Sequence, residues 1–258
     1  MEIKKVSAAH GWLWIRDGFY LILRNPILSM ALAGAVAIGI FLALNIPFFG
    51  PFLGIMLIPT LVAGYMRALQ ALDRHEEMEL AHLLAGFGKA APKLITLGGV
   101  LLVGVIIISA AMIEIGGNAL TSFLEIAQST NDPQVIVEAL LSAGPEVNYA
   151  MLVGMSLLLL LLVCLQFAPM LVILDDAKSL AAIKATIIGT FRNILSYIVF
   201  MLIFQVLIFL ASTLPKILSI FLLLPVGMAS LYAAYRDIYT WPEKSPRLTE
   251  GKVVTRDD

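Results

Sequence analysis

Apolar residues in this chain run in long unbroken stretches. They do not alternate as in a half-buried strand, nor form the narrow stripe of a helix in water. A bilayer core about 30 Å thick takes about 20 helical residues to cross. Six stretches reach that length: 27–46, 48–66, 94–113, 149–174, 194–214 and 217–235. Only Pro47 separates the first pair, and only Pro215-Lys216 the last. Joins that short force antiparallel hairpins. The pattern predicts an all-α fold, a polytopic membrane bundle of six transmembrane helices in three hairpins.

Ahead of each hairpin the pattern changes from unbroken to amphipathic. In the first such segment Ala8, Trp12, Ile15, Phe19 and Ile22 share one face, with His10, Asp17 and Arg24 on another. In the second, Leu80, Leu83, Phe87 and Ala91 are apolar, with His82, Lys89 and Lys93 polar. In the third, Leu180, Ile183, Ile187 and Phe191 form the apolar stripe. These lead-ins are predicted as interfacial helices lying with the apolar face toward the acyl chains. They end alike, in Gly18-Phe19, Gly86-Phe87 and Gly189-Thr190-Phe191. The spacing from Asn25 to Pro47 is the same as that from Asn193 to Pro215. The chain therefore reads as one unit used three times, over 1–66, 76–175 and 178–235, within a single membrane domain over 1–240. Residues 241–258 are polar and read as a flexible cytoplasmic tail.

Charge gives direction. Sixteen of the 17 Lys and Arg residues fall in the N-terminal segment, in 67–93, in 175–193 and after 235, all on one side of a six-span path. The loop over 114–148 has no cation and five acids, Glu114, Glu125, Asp132, Glu138 and Glu146. Under the positive-inside rule both termini are cytoplasmic. Trp12, Trp14 and Trp241 fall on the same side. They are expected to anchor in the headgroup layer. Within the outer loop, Asn131-Asp132-Pro133 predicts a turn and a helix start.

Composition agrees and narrows the function. The chain has 258 residues, of which 60% are hydrophobic and 14% charged. Soluble domains carry about 25% charged residues. With 17 basic and 18 acidic residues there is no cationic excess for a phosphate backbone, which excludes nucleic acid as a partner. The single cysteine, Cys164, sits in an apolar run and reads as a small buried hydrophobe.

Candidate chemistry is sparse. Ala31, Ala35, Gly39 and Ala43 recur every fourth residue in the first span, and Gly50 and Gly54 in the second. That spacing lets helix backbones approach closely. Internal packing of those two spans is the reading preferred over an oligomer contact. Pro59, Pro169 and Pro225 each remove a backbone hydrogen bond and are expected to kink the returning helices. Transporters build midplane sites from broken helices. The polar residues available to such a site are Glu114, at the outer end of the third span, with Gln166 and Gln205. His75, Glu79 and His82 would share a helix face as metal-capable groups, but a solvated charged face explains them as well. No phosphate loop, dinucleotide fingerprint, nucleophile elbow or zinc-type cysteine cluster is present. No cofactor, no metal and no catalysis are expected.

Two segments carry a family resemblance. Val6-Ser7-Ala8-Ala9-His10-Gly11-Trp12 with Asp17-Gly18-Phe19 and Arg24-Asn25-Pro26, and Arg67-Ala68-Leu69-Gln70-Ala71-Leu72-Asp73-Arg74 with His82-Leu83-Leu84-Ala85-Gly86-Phe87, resemble an uncharacterised family of proteobacterial inner-membrane proteins. More distantly, Pro169 with Asp175 and the third lead-in is similar to the membrane domain fused to some glycerophosphodiester phosphodiesterases. This chain lacks their catalytic barrel, so that activity does not carry over. Where the family has Gly after the Asp-Arg pair, this chain has His75, a departure that weakens the metal reading. The resemblance implies a multi-pass protein of the bacterial inner membrane, without an established substrate. The function expected is a scaffold, assembly or lipid-interacting envelope factor. The alternative is a small transporter or the membrane subunit of one. The expected partners are membrane lipids, with other membrane proteins or a second copy of the chain as candidates.

Overall fold

Long apolar runs have one stable form in hydrocarbon, because each backbone N–H and C=O must be satisfied within the segment. The computed structural model, which describes residues 2–130 and 132–240, accordingly folds them as helices. In chain order the elements are β1 (Glu2–Ile3), α1 (His10–Leu23), α2 (Pro26–Leu44), α3 (Gly50–Asp73), a 3-10 segment (Leu80–Phe87), α4 (Ala91–Ser129), α5 (Pro133–Ser142), α6 (Pro145–Leu165), α7 (Ala168–Asp175), α8 (Ser179–Arg192), α9 (Ile194–Ala211), α10 (Lys216–Ile238) and β2 (Tyr239–Thr240). Six stretches are long and apolar enough to cross a membrane: α2, α3, α4, α6 with α7, α9, and α10 from Leu218 onward. The fold is an all-α polytopic bundle.

Two compact units form. The larger is built from the chain before Gly99 and after Leu165. Its core lies in the second halves of the returning helices. In α3, Tyr65, Met66 and every residue from Ala68 to Leu72 are buried, so this end of the helix is enclosed on all sides. Phe167 to Val172 are likewise enclosed, as are Ala229, Tyr232, Tyr235 and Ile238 of α10. Trp14, Phe167, Tyr197, Tyr235 and Tyr239 make a chain of ring contacts through this core. The outgoing helices α2 and α9 leave much of their apolar surface exposed, for example Phe41 and Phe209.

The lead-ins enclose those ends, and they do so in a cycle. α1 packs on α10, the 3-10 segment on α3, and α8 on α7. Each lead-in thus grips the returning helix that precedes it in the chain, and the first grips the last returning helix. The two ends of the described chain meet as well. β1 pairs antiparallel with β2, and Lys4 N donates to the Ile238 carbonyl at 2.8 Å.

The smaller unit, Gly99–Leu165, holds most of α4, with α5 and α6. The segment predicted as a loop is largely helical. α4 continues to Ser129 through a break at Gly117, where φ is 51°. That conformation is open to glycine because it has no Cβ. Pro133 opens α5 behind Asp132, whose carboxylate accepts from Gln134 N. Leu120, Phe123, Val147 and Ala150 form a core of their own, covered by Ile136, Ala139 and Leu140 of α5.

Candidate functional site

The lead-ins supply the broadest feature of the larger unit. Small residues mark the inner face of each, alone in the second and third and beside Trp14, Ile15, Leu21 and Ile22 in α1. A Cβ on Gly18 would lie 2.5 Å from Ser230 N, and one on Gly86 2.2 Å from the Thr60 carbonyl oxygen. Only glycine admits backbone contact this close. In α8 the inward positions are Ala182, Ala185, Thr186, Gly189 and Thr190.

Other bulky apolar side chains point the other way. Trp12, Phe19, Tyr20 and Leu23 are exposed on α1, Leu80, Leu84 and Phe87 on the 3-10 segment, and Leu180, Ile187, Ile188 and Phe191 on α8. This corrects the predicted first face. Trp12 and Phe19 are outward, whereas Ile15 and Ile22 turn inward beside Gly11 and Gly18. Trp14 is also placed inside the protein, 2% exposed, with its indole N–H donated to Asp237 at 3.0 Å. It is an internal strut, enclosed by protein. Trp241 lies outside the described residues.

At the same end, three carboxylates close the returning helices, and the sequence reading did not single out their role. Asp73 ends α3, Asp175 ends α7, and Asp237 stands in the last turn of α10. Asp73 accepts from the Tyr232 hydroxyl at 3.0 Å and pairs with Arg236. Asp175 accepts from the Tyr235 hydroxyl. Asp237 bonds both His10 and Trp14 of α1. A further pair lies beside them, where Lys93 Nζ donates to Asp176 at 2.6 Å and holds that carboxyl below its usual range. Just past α10, burial pushes the Tyr239 hydroxyl up, and it donates to the Ala185 carbonyl at 3.0 Å. Signals for this clasp were available in sequence. Asp175 directly follows a long apolar run, and tyrosines recur through the end of α10.

The other predicted residues are dispersed. α3 and α10 run on through Pro59 and Pro225, whereas Pro169 stands in the first turn of α7, after a break at Gln166-Phe167. At that break Gln166 Nε2 donates to Thr190 Oγ1 at 3.3 Å. The buried Tyr197 hydroxyl and Thr60 Oγ1 lack a hydrogen-bond partner among the described residues. Gln205 is exposed on α9. Glu114 is exposed on α4, three residues before the Gly117 break and in the smaller unit. Within the larger unit, Gln166 and Gln205 share no hydrogen-bond partner.

His75, Glu79 and His82 share no helix face either, because α3 ends at Asp73. His75 has φ 62° in the turn that follows. That conformation suits the glycine that the resemblance implies there. His82 Nδ1 accepts from Glu79 N. The small residues of α2 and α3 pack on each other in part: a Cβ on Gly50 would lie 2.2 Å from the Leu44 carbonyl, and Gly39 faces Leu61. Ala31 is exposed.

The geometry therefore defines a multi-pass helical membrane protein whose most built feature is a clasped bundle end wrapped by lead-in helices. The chain is similar to a probable inner membrane protein of Burkholderia thailandensis, 25% identical over 198 residues, which are 75% of this chain and 71% of that protein. No protein-family model matches the chain, and no solved structure does.

Proposed function

We propose that the chain is a non-catalytic protein of the bacterial inner membrane, with both termini cytoplasmic, that engages lipid of the inner leaflet through its lead-ins. It acts as a scaffold or lipid-interacting envelope factor. The inner-membrane location is supported by the name of the Burkholderia relative, and the orientation by the segregation of cations. One observation carries the function: each lead-in exposes several large apolar side chains, and on the second and third exposed basic groups stand beside them, Lys89 after Phe87 and Lys184 between Leu180 and Ile187. Such a surface suits acyl chains below and anionic headgroups above.

The test is extraction from native membranes into polymer-bounded discs, with the lipids retained by the protein measured against the bulk membrane. Enrichment of anionic phospholipid is expected. The combined change Phe19→Ser, Phe87→Ser and Phe191→Ser should abolish it while leaving the fold intact, because all three rings point away from the core. A retained lipid profile identical to bulk in the unaltered protein would overturn the reading.

One observation favours a small transporter instead. The returning helix breaks at Gln166-Phe167, where Gln166 meets Thr190 near the buried Tyr197 hydroxyl. Comparing metabolites in the medium of cells with and without the chain tests it. A difference that Gln166→Leu reproduces, with lipid enrichment unchanged, would favour transport.

A further inference from the structure

α9 carries a polar group where none is expected. Its outward face is Leu195, Ile198, Leu202, Val206 and Phe209, all exposed, and Gln205 sits in the middle of that stripe. At 1.5 Å per residue Gln205 lies ~17 Å along the helix from Ile194 and ~9 Å short of Ala211. Both distances exceed what its side chain can span, so the carboxamide cannot reach either interface. It makes no hydrogen bond among the described residues, whereas serines on and beside these helices are satisfied. Ser196 donates to the Ser7 carbonyl, Ser212 to that of Phe209 and Ser230 to that of Val226. A primary amide has two donors and an acceptor, and leaving them bare in hydrocarbon is costly.

We infer that the α9 face is a self-association surface centred on Gln205, which pairs with Gln205 of a second copy. Two physical arguments select the occupant. Copies of one chain insert in the same orientation, so an axis relating them runs along the membrane normal and brings each residue opposite itself at the same depth. An amide is also self-complementary, since the donor of each can meet the acceptor of the other. A lone acid or base lacks this property. The flanking Ile198, Leu202, Val206 and Phe209 then pack against their counterparts. The inference rests on α9 crossing the membrane and does not depend on the lipid reading above.

Cys164 is the one cysteine in the chain, so Cys164→Ser gives a background for cross-linking in native membranes. Single cysteines introduced at 198, 202, 206 and 209 should each give an oxidised product of twice 28.0 kDa, and one at the exposed Ile38 of α2 should not. In the Leu202→Cys protein, adding Gln205→Leu should lower the dimer fraction in a dilution series. Association should weaken at least about three- to twenty-fold, the range for one of the pair's two hydrogen bonds between membrane helices. Gln205→Asn, which keeps the amide, should restore part of it. The inference is overturned by absence of the dimer at the α9 positions, by equal cross-linking at 38, by no effect of Gln205→Leu, or by a product of another mass, which would assign the face to a different protein.

Discussion

Two substitutions of glycine by alanine should have opposite signs. At Gly18 the new methyl would lie 2.5 Å from Ser230 N and 2.7 Å from both the Ala229 carbonyl carbon and Ser230 Cα. Those atoms are backbone and cannot rotate away. To regain ordinary contact α1 must lift from α10 by about 1 Å, and gaps of about 0.5–1 Å forfeit about a quarter to a half of each dispersion contact. Trp14, Ile15, Leu21 and Ile22 all lie on the face that would lift. Overpacking costs about 1–3 kcal/mol, and rigid neighbours place this site at the upper end. Gly→Ala inside a helix returns about 1 kcal/mol, so Gly18→Ala should destabilise by about 2 kcal/mol. Gly99, in α4, has nothing within 4 Å of its would-be Cβ. Gly99→Ala should therefore stabilise by about 0.5–1 kcal/mol. The assay is unfolding by SDS in mixed micelles, followed by tryptophan emission and circular dichroism. A separation of about 3 kcal/mol between the variants is expected. If Gly18→Ala matched Gly99→Ala in sign, α1 would not sit on α10 as described, and the clasp would fall with it.

Asp73→Ala removes the partner of both Arg236 and Tyr232, and Arg236 is only one-fifth exposed. We expect a loss of about 2–3 kcal/mol in the same assay, and a double-mutant cycle with Arg236→Ala should show coupling. His75→Gly should stabilise by about 0.5–1 kcal/mol in that assay by relieving the left-handed backbone, and a destabilised variant would contradict the turn. The Lys93–Asp176 contact should persist above the ordinary carboxylate range and weaken only as pH falls through the depressed Asp176 value; carboxyl NMR titration of wild type and Lys93→Met checks this, the variant being expected to titrate higher. Reporters inserted after Ser129 and fused at the C-terminus should report opposite sides of the membrane, with the C-terminal one cytoplasmic, and matching signals would refute six spans.

The six spans and the tight hairpins were legible because hydropathy measures transfer out of water. The same measure does not say what replaces the water. Leu32 is fully buried and Ile38 is 56% exposed in the same helix, yet hydropathy barely separates them. In lipid, burial against protein is decided by fit, which small residues allow. Gly11 and Gly18 therefore select the inner face of α1, and a reading weighted by large side chains splits that helix along the wrong meridian. Trp14 was misplaced for a related reason. A tryptophan near a span end suits headgroups and buried polar partners equally, and only the fold brings Asp237 to it from 223 residues away. The carboxylate clasp was hidden because its members are individually ordinary end-of-helix acids. Of the candidate site, Gln166 at a helix break was legible from the nearby Pro169, whereas the exposure of Gln205 depends on packing that no single helix pattern records.

The cyclic grip of lead-in on returning helix has a consequence for how the protein is made. α1 leaves the ribosome well before its main seat, α10. Roughly 200 residues separate them, which at about 5–20 residues per second is on the order of 10–40 s of synthesis. Until α9 is made Trp14 lacks Tyr197 and Phe200, and until α10 is made Gly18 lacks the backbone it fits. The ring is shut by its last member, so a chain arrested before α10 leaves its own first helix held chiefly by α9, on one side, and such a fragment would present the apolar seam that membrane quality-control proteases are built to detect.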